Sequence, residues 1–137
     1  MITVDEIMST NLETLKEVDT LETAARLMAD NGIRHLPVLN DDGSLVGLVT
    51  QRDVLKSASV AANPGSVPCS EFMTRDVDTV DERTGLRQAA IYLQKHKYGC
   101  LPVVTGGKLK GIVTDSDFVG VAINLLEQLE IAEPEEV

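Results

Sequence analysis

Two stretches of the chain, 21–28 and 86–93, carry apolar residues at positions i, i+3, i+4 and i+7. This is the spacing of one face of an α-helix, so each stretch predicts an amphipathic helix that packs on other elements. Shorter apolar runs at 36–39, 45–49 and 109–113 predict strands, because apolar and β-branched residues suit a half-buried pleated surface. Short strands are also expected at 12–15 and 77–80, each after a short helical lead-in, at 4–8 and 69–73.

This pattern occurs twice. Adding 65 to a residue number takes Met8 to Met73 and Leu36-Pro37-Val38 to Leu101-Pro102-Val103, and beyond a turn the offset becomes 64. One half of roughly 60 residues buries too little surface to be stable alone, so the two halves should pair. We predict an α+β fold of two β-α-β-β-α repeats, packed sheet to sheet about a pseudo-twofold axis. The expected segments are a first repeat at 1–60, a linker at 61–70, a second repeat at 71–130 and a frayed acidic tail at 131–137.

Composition and charge narrow the function. The 137 residues are 43% hydrophobic, which is enough for a core, and the net charge of −10 argues against a nucleic-acid partner. Cys69 and Cys100 are far apart and have no metal-ligand spacing, so we expect reduced thiols, no metal and a cytoplasmic location. No signal peptide opens the chain, and no apolar run approaches the roughly 18 residues of a membrane span, which predicts no membrane association.

The heptapeptide that ends each repeat carries the candidate chemistry. The two copies are Gly47-Leu48-Val49-Thr50-Gln51-Arg52-Asp53 and Gly111-Ile112-Val113-Thr114-Asp115-Ser116-Asp117. In each copy a strand is predicted to turn into a helix at the Thr, and the unpaired amides of a helix start attract anions. The simpler interpretation is a capping box, in which Thr and Asp bond to backbone amides. The two roles are compatible, because a capping Asp can still receive a ligand.

The duplicated lead-in helix, the Leu-Pro-Val strand and the Gly-apolar-Val-Thr-x-x-Asp corner resemble a tandem pair of cystathionine-β-synthase (CBS) domains over residues 1 to about 125. The resemblance implies a regulatory module that is not an enzyme and needs no cofactor. Its expected regulatory ligand is AMP, ADP, ATP or S-adenosylmethionine, bound between the repeats, and its expected assembly is a homodimer. The sequence does not identify the protein that the module regulates.

Physical chemistry agrees with this implied function. An ionised Asp accepts hydrogen bonds from both hydroxyls of a ribose, and a Thr at a helix start suits a phosphate. We therefore expect Thr50 with Asp53, and Thr114 with Asp117, to bind ligand. Apolar residues beside these sites are expected to sandwich a flat base, although for each one an ordinary core position is the simpler interpretation: Ile112, Val80, Leu48 and Leu15.

The resemblance also implies that the two sites differ. In the family, residues just before the second strand and just before the motif Asp face the phosphates of the nucleotide held by the other repeat. Carried over, Arg34, His35 and Arg52 would face the phosphates of a nucleotide held by Thr114 and Asp117. The opposite site has Gly99, Cys100 and Ser116 at these positions. We expect the site with Arg34, His35 and Arg52 to bind phosphorylated adenosine more tightly, although a solvated Arg34 and a half-buried His35 in a strand remain alternatives.

Two other functions stay open at this point. Asp115 and Asp117 could share acid and base roles in an enzyme, but Asp115 is Gln51 in the other copy and no nucleophile or metal cluster supports catalysis. The chain could also be a structural dimerisation module without a ligand. The homodimer is expected from an apolar face on the last helix, because such a face is a liability when exposed. Its residues are Val119, Val121, Ala122, Leu125, Leu126 and Leu129.

Overall fold

The computed structural model describes residues 1–133, so positions 134–137 of the expected tail lie outside the described residues. The first half contains β1 (Leu15–Lys16), α1 (Leu21–Asn31), β2 (His35–Leu39), β3 (Leu45–Thr50) and α2 (Gln51–Ala58). The second half contains α3 (Leu86–His96), β4 (Cys100–Thr105), β5 (Lys108–Thr114) and α4 (Asp115–Ala132). Short 3₁₀ turns lie at Val4–Glu6, Pro64–Ser66 and Cys69–Glu71. The last helix thus ends at Ala132.

The two halves have related sheets. In the first half, β1 runs parallel to β2 and β2 runs antiparallel to β3. In the second half, β4 and β5 form an antiparallel pair, and the strand predicted at 77–80 is reduced to a parallel bridge between Val80 and Val103. Val80 makes both hydrogen bonds to β4, but the chain then turns at Asp81, whose carboxylate accepts a bond from the Thr105 hydroxyl at 3.0 Å. The order of elements is therefore kept, although the strand is shorter.

Each long helix covers its own sheet with an apolar face and ends in the left-handed conformation. The buried residues of these faces are Leu21, Ala24 and Met28 in α1 and Leu86, Ala89 and Leu93 in α3. Helix α1 ends at Gly32 with φ 62°, where glycine carries no steric penalty. Helix α3 ends at Lys97 with φ 57°, the left-handed region that a side chain disfavours. The second repeat therefore carries a small backbone strain that the first repeat lacks.

The two repeats exchange their lead-in segments. Val4 is fully buried in the core of the second half, and its amide donates to the Thr84 carbonyl oxygen at 2.9 Å. Cys69 is equally buried in the core of the first half, and its amide donates to the Asp19 carbonyl oxygen at 2.7 Å. The close fit extends to Gly47, where an added Cβ would lie 2.7 Å from the Met73 sulfur. Each core is therefore completed by the lead-in segment that precedes the other repeat.

A small apolar cluster joins the two halves. Leu48 of β3 packs with Cys100 of β4 and Ile112 of β5, and Leu12 and Val77 cover its edges. These contacts confirm the expected α+β architecture, with the two sheets facing each other. The cluster also separates two cavities, which are described below.

Helix α4 is mostly uncovered. Only Phe118 and Val121 near its start pack against the core of the second half. Several large apolar side chains of this helix are more than half exposed: Val119, Ile123, Leu125, Leu126, Leu129 and Ile131. Within residues 1–133, no helix is both long and apolar enough to cross a lipid bilayer.

Candidate functional site

The two Thr-x-x-Asp corners form capping boxes. The Asp117 carboxylate accepts from the Thr114 amide at 2.8 Å, and the Asp117 amide donates to the Thr114 hydroxyl at 3.3 Å. At the other corner the corresponding distances for Asp53 and Thr50 are 3.0 and 3.1 Å. The capping interpretation is therefore confirmed in both copies. Capping leaves both helix starts facing the interface between the halves.

A cavity of about 400 Å³, here called the Thr114 cleft, lies beside the corner of α4. The second half contributes Thr114, Ser116 and Ile112 to its lining, and the first half contributes residues from the lead-in and from the start of β2. Those residues include Ser9, Leu12, Glu13, Arg34 and His35. The cleft thus brings Arg34 and His35 of the first half close to Thr114 of the second half across the interface.

A second cavity of about 200 Å³, here called the Thr50 cleft, lies beside the corner of α2. Its lining repeats the first cavity at the offsets of the duplication, with Leu48 in place of Ile112 and Val77 in place of Leu12. Gly99 and Cys100 stand at the positions of Arg34 and His35. His35 also lines this cavity, so the same residue borders both clefts.

The arginine at the Thr114 cleft already has an acidic partner. Arg34 Nη2 lies 3.8 Å from Asp115 Oδ1, and both side chains are more than half exposed. Burial lowers the pKa of His35 below 6.5; Arg34 lowers it further, and Asp115 opposes the shift. His35 is therefore a neutral hydrogen-bonding group near pH 7. An anionic ligand would meet Arg34 after displacing the carboxylate of Asp115.

The Thr50 cleft is lined by different chemistry. Asp76 and Asp78 lie along it, and the Tyr98 hydroxyl donates a hydrogen bond to Asp78. Burial, together with the nearby charge of Asp115, raises the pKa of Cys100 to about 12, so this thiol stays protonated at neutral pH. Cys69 has its pKa raised to about 11, mainly by burial. In the part of the chain that the structure describes, no cluster of His, Cys, Asp and Glu could hold a metal ion.

Five of the predicted site residues line neither cleft. Asp53 and Asp117 lie in the first turns of α2 and α4, and only their Thr partners line the two cavities. Arg52 lines a separate open groove beside Thr50 rather than the Thr114 cleft. Leu15 is buried in the core of the first half, and Val80 packs on the core of the second half. Leu15 of β1 pairs with β2 and Val80 forms a bridge to β4, and both side chains pack on the cores.

Two residues that were not among the predicted site residues add apolar lining to the clefts. Leu12 lines the Thr114 cleft and Val77 lines the Thr50 cleft, opposite Ile112 and Leu48. Both residues were assigned to the ends of expected strands, whereas the structure leaves them in loops before the first pairing residue. The repeat offset between Leu12 and Val77 was the available signal for a shared role.

Comparison with known proteins tests the resemblance drawn from the motifs. A family model of the CBS domain matches residues 4–59 and again residues 69–124. The chain belongs to the CBS domain family. The expected tandem CBS pair is therefore confirmed, and so is its fold.

Several solved structures of the family resemble this CBS pair over most of its length. A Vibrio cholerae protein described as an acetoin utilization protein (AcuB) is 46% identical, with a TM-score of 0.87 over 98% of this chain and 99% of that protein. The CBS domain pair of MJ0100, in complex with 5′-methylthioadenosine and S-adenosyl-L-methionine, is 28% identical, with a TM-score of 0.82 over 91% and 98%. CBSX2 in complex with AMP is 29% identical, with a TM-score of 0.80 over 91% and 98%.

Curated relatives include longer proteins. Homoserine O-acetyltransferase of Methanocorpusculum labreanum is 39% identical over 75% of this chain, but the match covers 20% of that enzyme. The CBS pair thus spans about a fifth of the length of such relatives. The similarity therefore gives no support to an acetyltransferase activity in this chain.

Proposed function

We propose that this CBS pair is a regulatory sensor that binds an adenosine derivative in the Thr114 cleft. The observation that carries the proposal is the composition of this cavity, which joins Thr114 and Ile112 of one repeat to Arg34 and His35 of the other. A ligand that contacts both sets of residues links the two halves. Binding would then change their packing, which is the signal that a regulated partner could read.

The proposed contacts follow from the geometry of the corner. The start of α4 and the Thr114 hydroxyl suit a phosphate, because the first amides of a helix are unpaired and carry partial positive charge. Asp117 would accept the ribose hydroxyls through the part of its carboxylate that the Thr114 amide does not use. Ile112 and Leu12 offer apolar surface to a base. Arg34 would exchange Asp115 for the ligand phosphate, with His35 as a neutral donor beside it.

The choice of an adenosine derivative is supported by solved relatives. CBSX2 was solved with AMP, and the MJ0100 pair with S-adenosyl-L-methionine and 5′-methylthioadenosine. These ligands share adenosine and differ at the 5′ position. The arginine at the Thr114 cleft favours a 5′-phosphate there, because charge-assisted hydrogen bonds to phosphate are stronger than neutral ones. AMP is therefore the first ligand to test in this cleft, before ADP, ATP or S-adenosylmethionine.

The geometry gives the enzyme hypothesis little support. Asp115 lies beside Arg34, whereas Asp117 is bound to the amide of Thr114, so the two carboxylates have separate partners. The two cysteines keep protonated thiols at neutral pH. We therefore keep the proposal of a sensor without turnover or a resident cofactor, in the cytoplasm, where free thiols persist.

A homodimer is part of the proposal. The apolar side chains along α4 remain exposed in one copy of the chain, and burying them against a second copy would remove this surface from water. This face also supports the alternative of a structural dimerisation module. The two functions differ in one respect, since only the sensor responds to a ligand.

Thermal unfolding with a panel of AMP, ADP, ATP, S-adenosylmethionine and adenosine tests the sensor. A ligand at a hundredfold excess over its Kd stabilises the native state by about 2.7 kcal/mol, which raises the Tm by several degrees. Arg34→Gln should reduce the shift with AMP and leave the shift with adenosine, whereas Arg83→Gln, a surface control, should change neither. A panel without any shift would favour the dimerisation module. Release of product from ATP or AMP by the pure protein would revive the enzyme hypothesis.

A further inference from the structure

Both tyrosines of the chain and one of its two histidines form an aromatic cluster at the Thr50 cleft. The rings of His96 and Tyr98 are stacked, with centroids 5.4 Å apart and planes 11° apart, and the Tyr92 ring lies 4.4 Å from the His96 ring. Tyr98 is 39% exposed and lines the cleft, whereas Tyr92 and His96 belong to α3. Stacking on α3 therefore limits the positions that the Tyr98 ring can take beside the cavity.

The Tyr98 hydroxyl links two segments of the cleft lining. It donates a hydrogen bond to the Asp78 carboxylate, and both residues line the Thr50 cleft. Asp78 lies in the loop before Val80, whereas Tyr98 stands between α3 and β4. The hydrogen bond to Asp78 is also the main cause that raises the pKa of Tyr98 above its ordinary value. The two segments are thus joined at the cavity by a charge-assisted hydrogen bond.

The first repeat cannot make the equivalent hydrogen bond. At the repeat offset of 65, Glu13 and Ile33 stand at the positions of Asp78 and Tyr98, and both line the Thr114 cleft. Ile33 carries no hydroxyl, so its side chain has no hydrogen to donate to Glu13. The Thr114 cleft has a volume of about 400 Å³, whereas the Thr50 cleft, which carries the hydrogen bond, has about 200 Å³. The hydrogen bond thus accompanies the smaller of these two cavities.

We propose that Tyr98 and Asp78 form a latch, which must open before a molecule larger than this cavity reaches the inner wall of the Thr50 cleft. Leu48 and Cys100 on that wall are only 7% and 5% exposed. Opening the latch costs little free energy, because water can solvate the hydroxyl and the carboxylate at an exposed position. The Thr114 cleft has no such latch, so the two clefts admit molecules under different conditions, whichever ligand each one takes.

Alkylation of Cys100 by iodoacetamide, a small thiol reagent, measures how often the latch opens. The Cys100 residue lines the Thr50 cleft, whereas Cys69 is fully buried in the core of the first half and reports on loosening of the fold. Peptide mass spectrometry at mildly alkaline pH follows the two cysteines separately. Tyr98→Phe removes the hydroxyl and keeps the ring, so the Cys100 rate should rise about 2- to 10-fold, the effect of one hydrogen bond, while the Cys69 rate stays unchanged.

Two carboxylates of the same cleft separate the latch from a general effect of charge. Asp78→Ala removes the acceptor and should raise the Cys100 rate as Tyr98→Phe does, and the double variant should gain nothing further, because both changes break the same bond. Asp76→Ala removes the same charge from the same cleft lining and should leave the rate close to that of the unmutated chain. The chain has no tryptophan, so tyrosine absorbance at alkaline pH gives a second readout. Asp78→Ala should lower the pKa of Tyr98 toward its ordinary value.

Three results would overturn the latch. The first is an unchanged Cys100 rate in both Tyr98→Phe and Asp78→Ala. The second is an equal increase at Cys100 and Cys69, which would show a loosened fold, and the third is an increase in Asp76→Ala as large as that in Asp78→Ala, which would show an effect of charge. These measurements use no nucleotide. A failure of AMP to bind in the thermal panel would therefore contradict the proposed function alone, and the alkylation rates would still decide the latch.

Discussion

Replacing Asp117 by Ala should weaken AMP binding much more than replacing Asp53 by Ala. The two aspartates can be compared, because each caps its helix through the amide of the Thr three residues earlier, at 2.8 Å for Asp117 and 3.0 Å for Asp53. Asp53 also accepts a hydrogen bond from the Thr74 hydroxyl at 3.3 Å. Loss of such a cap costs about 1 kcal/mol of stability. Asp53→Ala should therefore lose at least as much stability as Asp117→Ala, so a larger loss of AMP affinity in Asp117→Ala reports on the clefts rather than on folding.

The expected loss can be worked from the structure. One oxygen of the Asp117 carboxylate already accepts the Thr114 amide, so the ribose gains one new charge-assisted bond rather than two. Such a bond contributes about 1.5–3 kcal/mol, which corresponds to a loss of about 10- to 150-fold in AMP affinity for Asp117→Ala. Asp53→Ala should change the same titration by less than about threefold, because AMP is held mainly in the cleft that carries Arg34.

Isothermal calorimetry with AMP and adenosine, together with urea unfolding of each variant, makes this measurement. Adenosine should distinguish the two clefts less, since it lacks the group that Arg34 recognises. Repeating the titration at higher salt shows how much the net charge of −10 opposes binding, because added ions screen long-range repulsion. The reasoning is refuted if Asp53→Ala abolishes the tight AMP event while Asp117→Ala preserves it.

Three further predictions concern stability and assembly. Burial lowers the pKa of His35, so the unfolded chain binds a proton at this residue more readily than the folded chain does. The free energy of unfolding should therefore fall as the pH drops through about 6.5, and urea unfolding of His35→Gln should show a weaker pH dependence. Lys97→Gly should raise the free energy of unfolding by about 0.5–1 kcal/mol and the Tm by a few degrees, because relief of the left-handed strain exceeds the entropic cost of ordering a glycine. Calorimetric melting measures this change, and Gly32→Lys should lower the Tm. Sedimentation equilibrium at tens of micromolar should show a dimer, and the double variant Leu125→Glu with Leu129→Glu should be a monomer. A monomeric unmutated chain would contradict a dimer interface on α4.

Periodicity and duplication were sufficient to predict the fold class and the corners. Local rules of helix periodicity and capping predict the apolar faces of α1 and α3 and the Thr-x-x-Asp turns, so the sequence was sufficient to locate them. The exchange of lead-in segments between the two halves could not be predicted from the sequence. A segment such as 4–8 keeps the same repeat offset whether it packs on its own half or on the other, and only the three-dimensional contacts distinguish the two cases.

The composition of the clefts was predictable in part. One cavity is lined by Arg34, His35, Thr114 and Ile112, a placement that the family resemblance implied and that the residue patterns alone did not give. The open groove beside Thr50 that Arg52 lines was missed, although the spacing of Arg52 and Lys56 on one helix face was an available signal. Lys97 could not be added from sequence, since its position depends on the left-handed end of α3 and on the packing of the two halves.

The exchanged lead-ins carry a consequence for the origin of the chain. A single repeat of this kind, made alone, would present an incomplete core and a lead-in fitted to fill the same gap in another copy. Two such copies could satisfy each other reciprocally, as Val4 and Cys69 do within this molecule. The arrangement is that of a domain-swapped dimer whose subunits have been fused end to end by the segment between α2 and Cys69. In such a fused arrangement each half can change its cleft independently, and the linings of the two clefts do differ.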